Sequence, residues 1–156
     1  MGVVLVDKVE EIVAQFKGVP GGLLEAFHAV QAEYSYIPED VLKRLAVAFN
    51  IPVTKAYGVA SFYSYLSVKP RGRFVIRICE SAPCHVAGAA EVVKTLEEEL
   101  GIRLGQTTGD NQFTLETTEC VGACEQTPVI TINGKPYGDL TPAKVKEILN
   151  EYRQQQ

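Results

Sequence analysis

The apolar residues of the first seventy positions recur at the three- and four-residue spacing of amphipathic helices. This spacing predicts four short helices, of which the first starts at a capping box formed by Asp7 and Glu10 and the fourth opens at Pro52. Their buried faces are expected to comprise Val9, Ile12, Val13 and Phe16; Leu23, Phe27, Val30 and Tyr34; Val41, Leu42, Leu45 and Phe49; and Ala56, Tyr57, Ala60 and Tyr63. The first part of the chain is therefore predicted to be a small helical bundle.

A cluster of helix-breaking residues, Lys69-Pro70-Arg71-Gly72, marks the place where this helical pattern ends. We therefore predict two domains, a helical bundle domain over residues 1–70 and a second domain over residues 71–156. The basic side chains at the junction, including Arg71 and Arg73, are expected to lie in a solvated linker.

Strand and helix patterns alternate in the second part of the chain. The β-branched run Phe74–Ile78 predicts a strand, and the alternation over Phe113–Thr118 predicts a second, half-buried strand. Between them, an apolar stripe from Val86 to Leu100 predicts a single helix that Gly101 ends.

A hairpin and a final helix follow. Val129–Ile132, the Asn133-Gly134 turn and Lys135–Tyr137 carry the strongest short-range signal for a β-hairpin. Thr141 and Pro142 suit the N-cap and first position of the last helix. The order strand, helix, strand, hairpin, helix predicts a thioredoxin-like α/β domain, so the fold class of the whole chain is α+β.

The four cysteines fall into two tight pairs, Cys79 with Cys84 and Cys120 with Cys124. Each pair directly follows a predicted strand. A right-handed crossover through the intervening helix would bring the second strand back parallel to the first, so both cysteine loops would share one edge of the sheet. Four thiolates can saturate either a structural zinc or a [2Fe–2S] cluster.

Several kinds of site compete for these cysteines. A zinc-stabilised interaction module tolerates the spacing, although four-cysteine zinc sites usually staple small modules without a sheet core. A thioredoxin-like thiol oxidoreductase would carry a C-x-x-C motif, which is absent. Disulfides are disfavoured because the sequence shows no secretory signal. A [2Fe–2S] cluster explains the most, because each loop can supply two thiolates to one iron and the residues between them are small or compact.

Composition and charge narrow the setting. The chain has 156 residues, of which 46% are hydrophobic and 22% charged, and this is ordinary globular material. Its net charge of −4 leaves no basic face for nucleic acid. The apolar run at the N-terminus is too short to span a membrane. We therefore expect a cytoplasmic protein without direct membrane insertion.

The motifs around the cysteines resemble a known family. They are similar to the small [2Fe–2S] thioredoxin-like ferredoxin subunit of complex I, a module that also occurs in NAD-linked hydrogenases and formate dehydrogenases. The resemblance is carried by Cys79-x4-Cys84-His85-Val86-x-Gly88-Ala89, Glu119-Cys120-Val121-Gly122-Ala123-Cys124, Glu33-Tyr34-x-Tyr36-Ile37-Pro38, Tyr57-Gly58-Val59-Ala60-Ser61-Phe62-Tyr63 and Asn133-Gly134-Lys135-x-Tyr137-Gly138.

The resemblance implies a function and a setting. It implies one [2Fe–2S] cluster on Cys79, Cys84, Cys120 and Cys124, which exchanges single electrons with a larger flavoprotein subunit. That partner would carry FMN, NAD(H) and a [4Fe–4S] cluster, and further iron–sulfur subunits would belong to the same oxidoreductase complex. The chain itself offers no catalytic acid, base or nucleophile. Association with such a complex could place it at the periphery of a membrane.

Charged residues flank the expected ligands. Glu80, Glu119 and Glu125 stand beside cysteines, and their negative charge should favour the oxidised cluster and a low potential. His85 follows Cys84 but is not assigned as a ligand, because four cysteines already complete the set.

Overall fold

The computed structural model describes the backbone of residues 2–155 and the side chains of residues 8–155. Over these residues the chain forms helices and one four-stranded sheet. The elements are α1 (Gly2–Phe16), α2 (Gly22–Tyr34), α3 (Glu39–Ala48), α4 (Val53–Phe62), β1 (Phe74–Cys79), α5 (Ala82–Val86), α6 (Ala89–Leu100), β2 (Phe113–Thr118), β3 (Ile130–Ile132), β4 (Lys135–Tyr137) and α7 (Pro142–Arg153), with a 3-10 turn at Cys124–Gln126 between β2 and β3. Internal contacts divide the chain into two compact units, residues 1–70 and 71–156.

The first unit contains the four predicted helices. Their core is apolar, and its largest fully buried side chains are Phe27, Ile37, Leu45, Val9 and Val30. The predicted start of the first helix is wrong, because α1 begins at Gly2 and the backbone of Asp7 lies within it; the side chain of Asp7 is outside the described residues. Two predicted core residues of the fourth helix, Tyr57 in α4 and Tyr63 directly after it, are exposed instead.

The sheet of the second unit has the strand order β2-β1-β3-β4. β1 pairs with β2 in parallel, so that Phe74 faces Phe113 and Cys79 faces Thr118. β3 runs antiparallel to β1, and β4 completes the predicted hairpin. The mixed sheet with its helices confirms the α+β class and the parallel crossover. β1, which ends at Cys79, and β2, which Cys120 follows, end at the same edge.

The helices of the second unit cover one face of this sheet. Ile76 and Ile78 of β1 share a buried apolar cluster with Leu96 of α6 and Leu149 of α7. The last helix starts as predicted, with Thr141 as the N-cap. None of the helices in the described part of the chain is long and apolar enough to cross a membrane.

Two predictions about the region between the strands are wrong. The single helix expected from Val86 to Leu100 is interrupted before Ala89, where Gly88 adopts a left-handed φ of 100° and separates the short helix α5 from α6. Val86, expected on the buried face, is 86% exposed. In β2, Phe113 and Leu115 lie in the core as predicted, whereas Thr117 is exposed. Thr114 is buried as well, and its hydroxyl accepts a hydrogen bond from the backbone N–H of Gly72 at 2.6 Å.

A carboxylate on β2 forms ion pairs with two arginines, one of which lies on β1. Glu116 Oε1 lies 3.0 Å from Arg71 Nε, and Glu116 Oε2 lies 3.2 Å from Arg77 Nε. The side chains of Arg71, Arg77 and Glu116 are only 4%, 10% and 23% exposed. Arg71 is therefore a buried ion-pair partner, and its expected place in a solvated linker is wrong.

Replacing Glu116 by glutamine should destabilise the protein by about 2–4 kcal/mol, because it removes the negative charge that two largely buried guanidinium groups share. Urea unfolding followed by circular dichroism measures this loss. The matched control is Glu98→Gln, since Glu98 Oε1 lies 3.9 Å from Lys94 Nζ with the Glu98 side chain 66% exposed. Its replacement should cost less than about 0.5 kcal/mol, and equal losses in both variants would contradict the prediction.

Candidate metal centre

The first cysteine pair is buried at the carboxyl end of β1. Cys79 is the last residue of β1 and Cys84 lies in α5, and the two residues are 1% and 2% exposed. The backbone N–H of Cys79 donates to Val129 O at 3.2 Å. Both cysteines share a small buried cluster with Ala89 and Val129, and Ala123 from the second cysteine loop packs against it. The two loops therefore meet in space.

The second cysteine pair lies in the exposed loop after β2. The Sγ atoms of Cys120 and Cys124 are 3.6 Å apart. Two thiolates on one tetrahedral metal with bonds of about 2.3 Å would lie about 3.8 Å apart, so this pair has nearly the spacing that one metal requires. The hydrogen bond with Cys120, followed by the charge of Cys120, raises the pKa of Cys124.

The loop between these two cysteines depends on a glycine. Gly122 has a φ of 80°, a left-handed conformation that side chains with a Cβ rarely adopt. Its backbone N–H donates to Cys120 Sγ at 3.4 Å. The glycine thus turns the chain and directs a backbone donor at a candidate ligand sulfur, and hydrogen bonds of this kind orient metal ligands.

Hydrogen bonds converge on the sulfur of Cys79. Burial by itself raises the pKa of Cys79, but donation from the backbone N–H of Ser81, from the Cys84 thiol, from the Ser81 hydroxyl and from the backbone N–H of Val121 lowers it overall. Burial and the hydrogen bond to Cys79 raise the pKa of Cys84. The charges of Cys79 and Cys124 also raise this pKa. The two pairs therefore share one electrostatic neighbourhood.

The thiols group in twos. Cys79 is hydrogen-bonded to Cys84, and Cys120 lies against Cys124. In the part of the chain that the structure describes, no three or more His, Cys, Asp or Glu side chains converge on one metal-ion position. A [2Fe–2S] cluster takes two thiolates on each of two irons, so a donor set made of two soft pairs with backbone N–H groups around it fits that group.

The other charged residues near the cysteines are exposed. Glu80, Glu119 and Glu125 all have solvent-accessible side chains, so water screens their charges in part. His85 is also exposed, and it lines a cavity of about 280 Å³ together with Glu80 and Cys79. The carboxylates can thus act on the site through their field, without serving as ligands.

A turn far along the chain supports the second cysteine loop. In the turn between β4 and α7, Gly138 packs so closely on Gln126 that an added Cβ would lie 2.6 Å from Gln126 O. The backbone N–H of Asp139 donates to the same oxygen at 2.6 Å, and that of Leu140 donates to Pro128 O at 3.3 Å. Sequence reasoning missed this support, because the hairpin pattern gives no sign of what the turn after it contacts.

Comparison with known proteins identifies the family. A model of the thioredoxin-like [2Fe–2S] ferredoxin family matches residues 9–153. The chain belongs to this family. The expected resemblance is confirmed, and the match extends across nearly all of this thioredoxin-like ferredoxin.

Named relatives point to NAD(P)-linked enzymes. The ferredoxin is 36% identical over 145 residues to the NADP-reducing hydrogenase subunit HndA of Solidesulfovibrio fructosivorans, covering 91% of this chain and 85% of that protein. It is 34% identical over 147 residues to an NADH-quinone oxidoreductase subunit of Escherichia coli strain K12, covering 94% of this chain and 89% of the relative.

A solved structure resembles this ferredoxin as well. A chain of an NAD⁺-reducing [NiFe]-hydrogenase, crystallised in the air-oxidized state, matches with a TM-score of 0.76 and 30% identity. The match covers 87% of this ferredoxin but only 23% of the hydrogenase chain. The ferredoxin therefore corresponds to one part of that longer polypeptide.

Replacing Gly138 by alanine should destabilise the ferredoxin by about 1–3 kcal/mol and reduce the iron it retains, because the new Cβ meets a backbone oxygen of Gln126 that no rotamer change can move. Urea unfolding and iron analysis measure the two effects. Gly109→Ala is the control, since a Cβ there would meet no atom within 4 Å. A Gly138→Ala protein as stable and as iron-rich as the Gly109→Ala protein would contradict the prediction.

Proposed function

We propose that this chain is an electron-transfer subunit that carries one [2Fe–2S] cluster on Cys79, Cys84, Cys120 and Cys124. The observation that carries the proposal is the meeting of two cysteine pairs at one sheet edge, in a chain that belongs to the thioredoxin-like [2Fe–2S] ferredoxin family. In this proposal each pair binds one iron. When bound, such a cluster supplies storage and transfer of single electrons.

The proposed electron donor or acceptor is a larger flavoprotein subunit that binds FMN and NAD(H), within an oxidoreductase complex that contains further iron–sulfur subunits. The names of the relatives support this setting, because they are subunits of an NADH-quinone oxidoreductase and of an NADP-reducing hydrogenase. In this proposal the described part of the chain supplies the cysteine site, and the substrate chemistry takes place on the partner. The enzymatic role of the chain would therefore depend on the complex.

Two kinds of group in this chain, backbone N–H groups and carboxylates, would shift the reduction potential of the cluster in opposite directions. Backbone N–H groups of Ser81, Val121 and Gly122 point to sulfurs and favour added negative charge. The carboxylates of Glu119 and Glu125, adjacent to ligands in sequence and exposed to water, oppose it. The balance between these donors and acids is the part of the redox chemistry that this chain controls.

Protein purified without oxygen should contain about two irons and two sulfides per chain and give an EPR signal after one-electron reduction. Replacing Cys124 by serine should remove most of the iron, because one of the four soft ligands is lost. Iron and sulfide analysis with EPR measures both outcomes, and Ser64→Ala, outside the cysteine loops, provides the control. Colourless protein with stoichiometric zinc, made under iron-replete conditions, would contradict the cluster.

The partner is tested with the loaded protein. NADH should reduce the cluster only after the flavoprotein subunit of the same complex is added, as followed by loss of visible absorbance. Rapid reduction by NADH without any flavoprotein would contradict the proposed need for a flavoprotein partner.

Replacing Glu119 by glutamine should raise the midpoint potential by roughly 20–50 mV, because a negative charge beside the cluster disfavours the added electron. A redox titration monitored by EPR measures the shift. Glu98→Gln on α6 removes a similarly exposed carboxylate away from the cysteine loops and should leave the potential unchanged. An unchanged or lowered potential in Glu119→Gln would refute the electrostatic effect.

A further inference from the structure

We infer that Lys144, on α7, is a positioning residue for the loop that carries Cys120 and Cys124. It acts through the turn of residues 138–140, which joins β4 to α7. The inference rests on the proposed function, because it concerns how the chain places the thiolates that would hold the cluster.

The Lys144 side chain folds back over the turn that precedes its helix. Lys144 Nζ donates to Gly138 O at 2.6 Å, and Gly138 is buried. A charged donor makes a stronger hydrogen bond than a neutral one, and a buried carbonyl without a donor is costly. This contact therefore holds the turn firmly.

The position of this lysine is unfavourable for the helix itself. Lys144 lies three residues after the N-cap Thr141, whose hydroxyl accepts from the Lys144 backbone N–H at 3.3 Å. A positive charge in the first helical turn opposes the helix dipole, and no acidic residue occupies that turn of α7 to offset it. The ammonium group thus contributes through its contact with Gly138 and not through the stability of α7.

A single peptide unit transmits the effect. The Gly138 carbonyl accepts from Lys144 Nζ, and the N–H of the same peptide, which belongs to Asp139, donates to Gln126 O at 2.6 Å. A trans peptide is planar and its C=O and N–H point in opposite directions. Because the lysine fixes the carbonyl, it also directs the N–H at Gln126, and rotation of this peptide would break both bonds.

The backbone conformation of Asp139 makes the observed orientation of this peptide energetically unfavourable unless other contacts stabilise it. Its φ of 50° lies in the left-handed region, which is unfavourable for a residue with a Cβ even though aspartate tolerates it better than most. A hydrogen bond on each side of the Gly138–Asp139 peptide compensates for this backbone strain. Lys144 supplies one of them.

The segment fixed by the turn lies between the two sets of cysteine contacts. The backbone N–H of Gln126 donates to Ala123 O at 3.1 Å, within the loop of Cys124. Three residues later, the carbonyl of Val129 accepts a hydrogen bond from the backbone N–H of Cys79 at 3.2 Å. The backbone N–H of Val129 donates to the Cys84 sulfur. Movement of this segment would therefore displace Cys124 and alter the surroundings of the first pair.

The test compares Lys144→Met, Lys144→Arg and Ile148→Val with the wild type, all purified as cluster-loaded protein. Ile148 lies on the same helix, is 6% exposed and belongs to the core, so its truncation lowers global stability without touching the turn. Four quantities are measured: the EPR spectrum of the reduced cluster, the rate of iron extraction by a chelator, hydrogen exchange of the Asp139 amide, and the midpoint of urea unfolding.

In Lys144→Met, iron extraction should be about tenfold faster, the EPR spectrum should change and the Asp139 amide should exchange faster, because the charged donor is lost. Lys144→Arg retains a charged donor and should restore most of the wild-type behaviour. Ile148→Val should lower the unfolding midpoint while leaving the EPR spectrum and the extraction rate within about twofold of the wild type.

Wild-type rates and spectra in Lys144→Met, or the same changes in Ile148→Val, would overturn the positioning role. If Lys144→Met does not accumulate as folded protein, Lys144→Gln replaces it and should show the same changes at smaller size; wild-type values in that variant would equally overturn the role. A wild-type protein that contains no cluster would contradict the proposed function instead, whereas unchanged Asp139 exchange would contradict only this inference.

Discussion

The parallel pairing of β1 with β2 is the constraint on which the site depends. Cys79 and Thr118 face each other in this register, so the loops that follow both strands emerge at the same edge of the sheet. Parallel strands require a crossover connection, and α6 packs against the sheet within that connection. An antiparallel arrangement would place the loops at opposite ends of the strands and separate the cysteine pairs.

The site combines a rigid half with a half that depends on distant support. Cys79 and Cys84 are buried against the end of the sheet, where they have little freedom. Cys120 and Cys124 lie in an exposed loop whose shape depends on Gly122 and on backbone hydrogen bonds to the turn after β4. Small residues in such a loop leave room near the sulfurs, but they supply little packing of their own. Support from another element compensates for that lack.

The carboxylate on β2 and the carboxylates beside the cysteines have different surroundings. Glu116 is enclosed with two arginines along β1 and β2, so a negative charge there is neutralised directly. The carboxylates beside the cysteines are exposed, and water moderates their effect. A buried, unpaired carboxylate at the cysteine site would be far more costly next to several thiolates. The arrangement thus keeps negative charge near the proposed cluster at a moderate energetic cost.

Local patterns in the sequence determined the helices of the first unit, the strands β1 and β2, the hairpin and the capped start of α7, because each depends on residues adjacent in the chain. They also indicated the four cysteines as one candidate ligand set. Tertiary structure decided the break at Gly88, the burial of Arg71 and the link from Lys144 to the second cysteine loop. Glu116 lies far from Arg71 in sequence, and Gln126 lies far from the turn it contacts, so no local pattern could reveal these partners. Folding alone brings them together, since hydrogen bonds and ion pairs depend on distances in space.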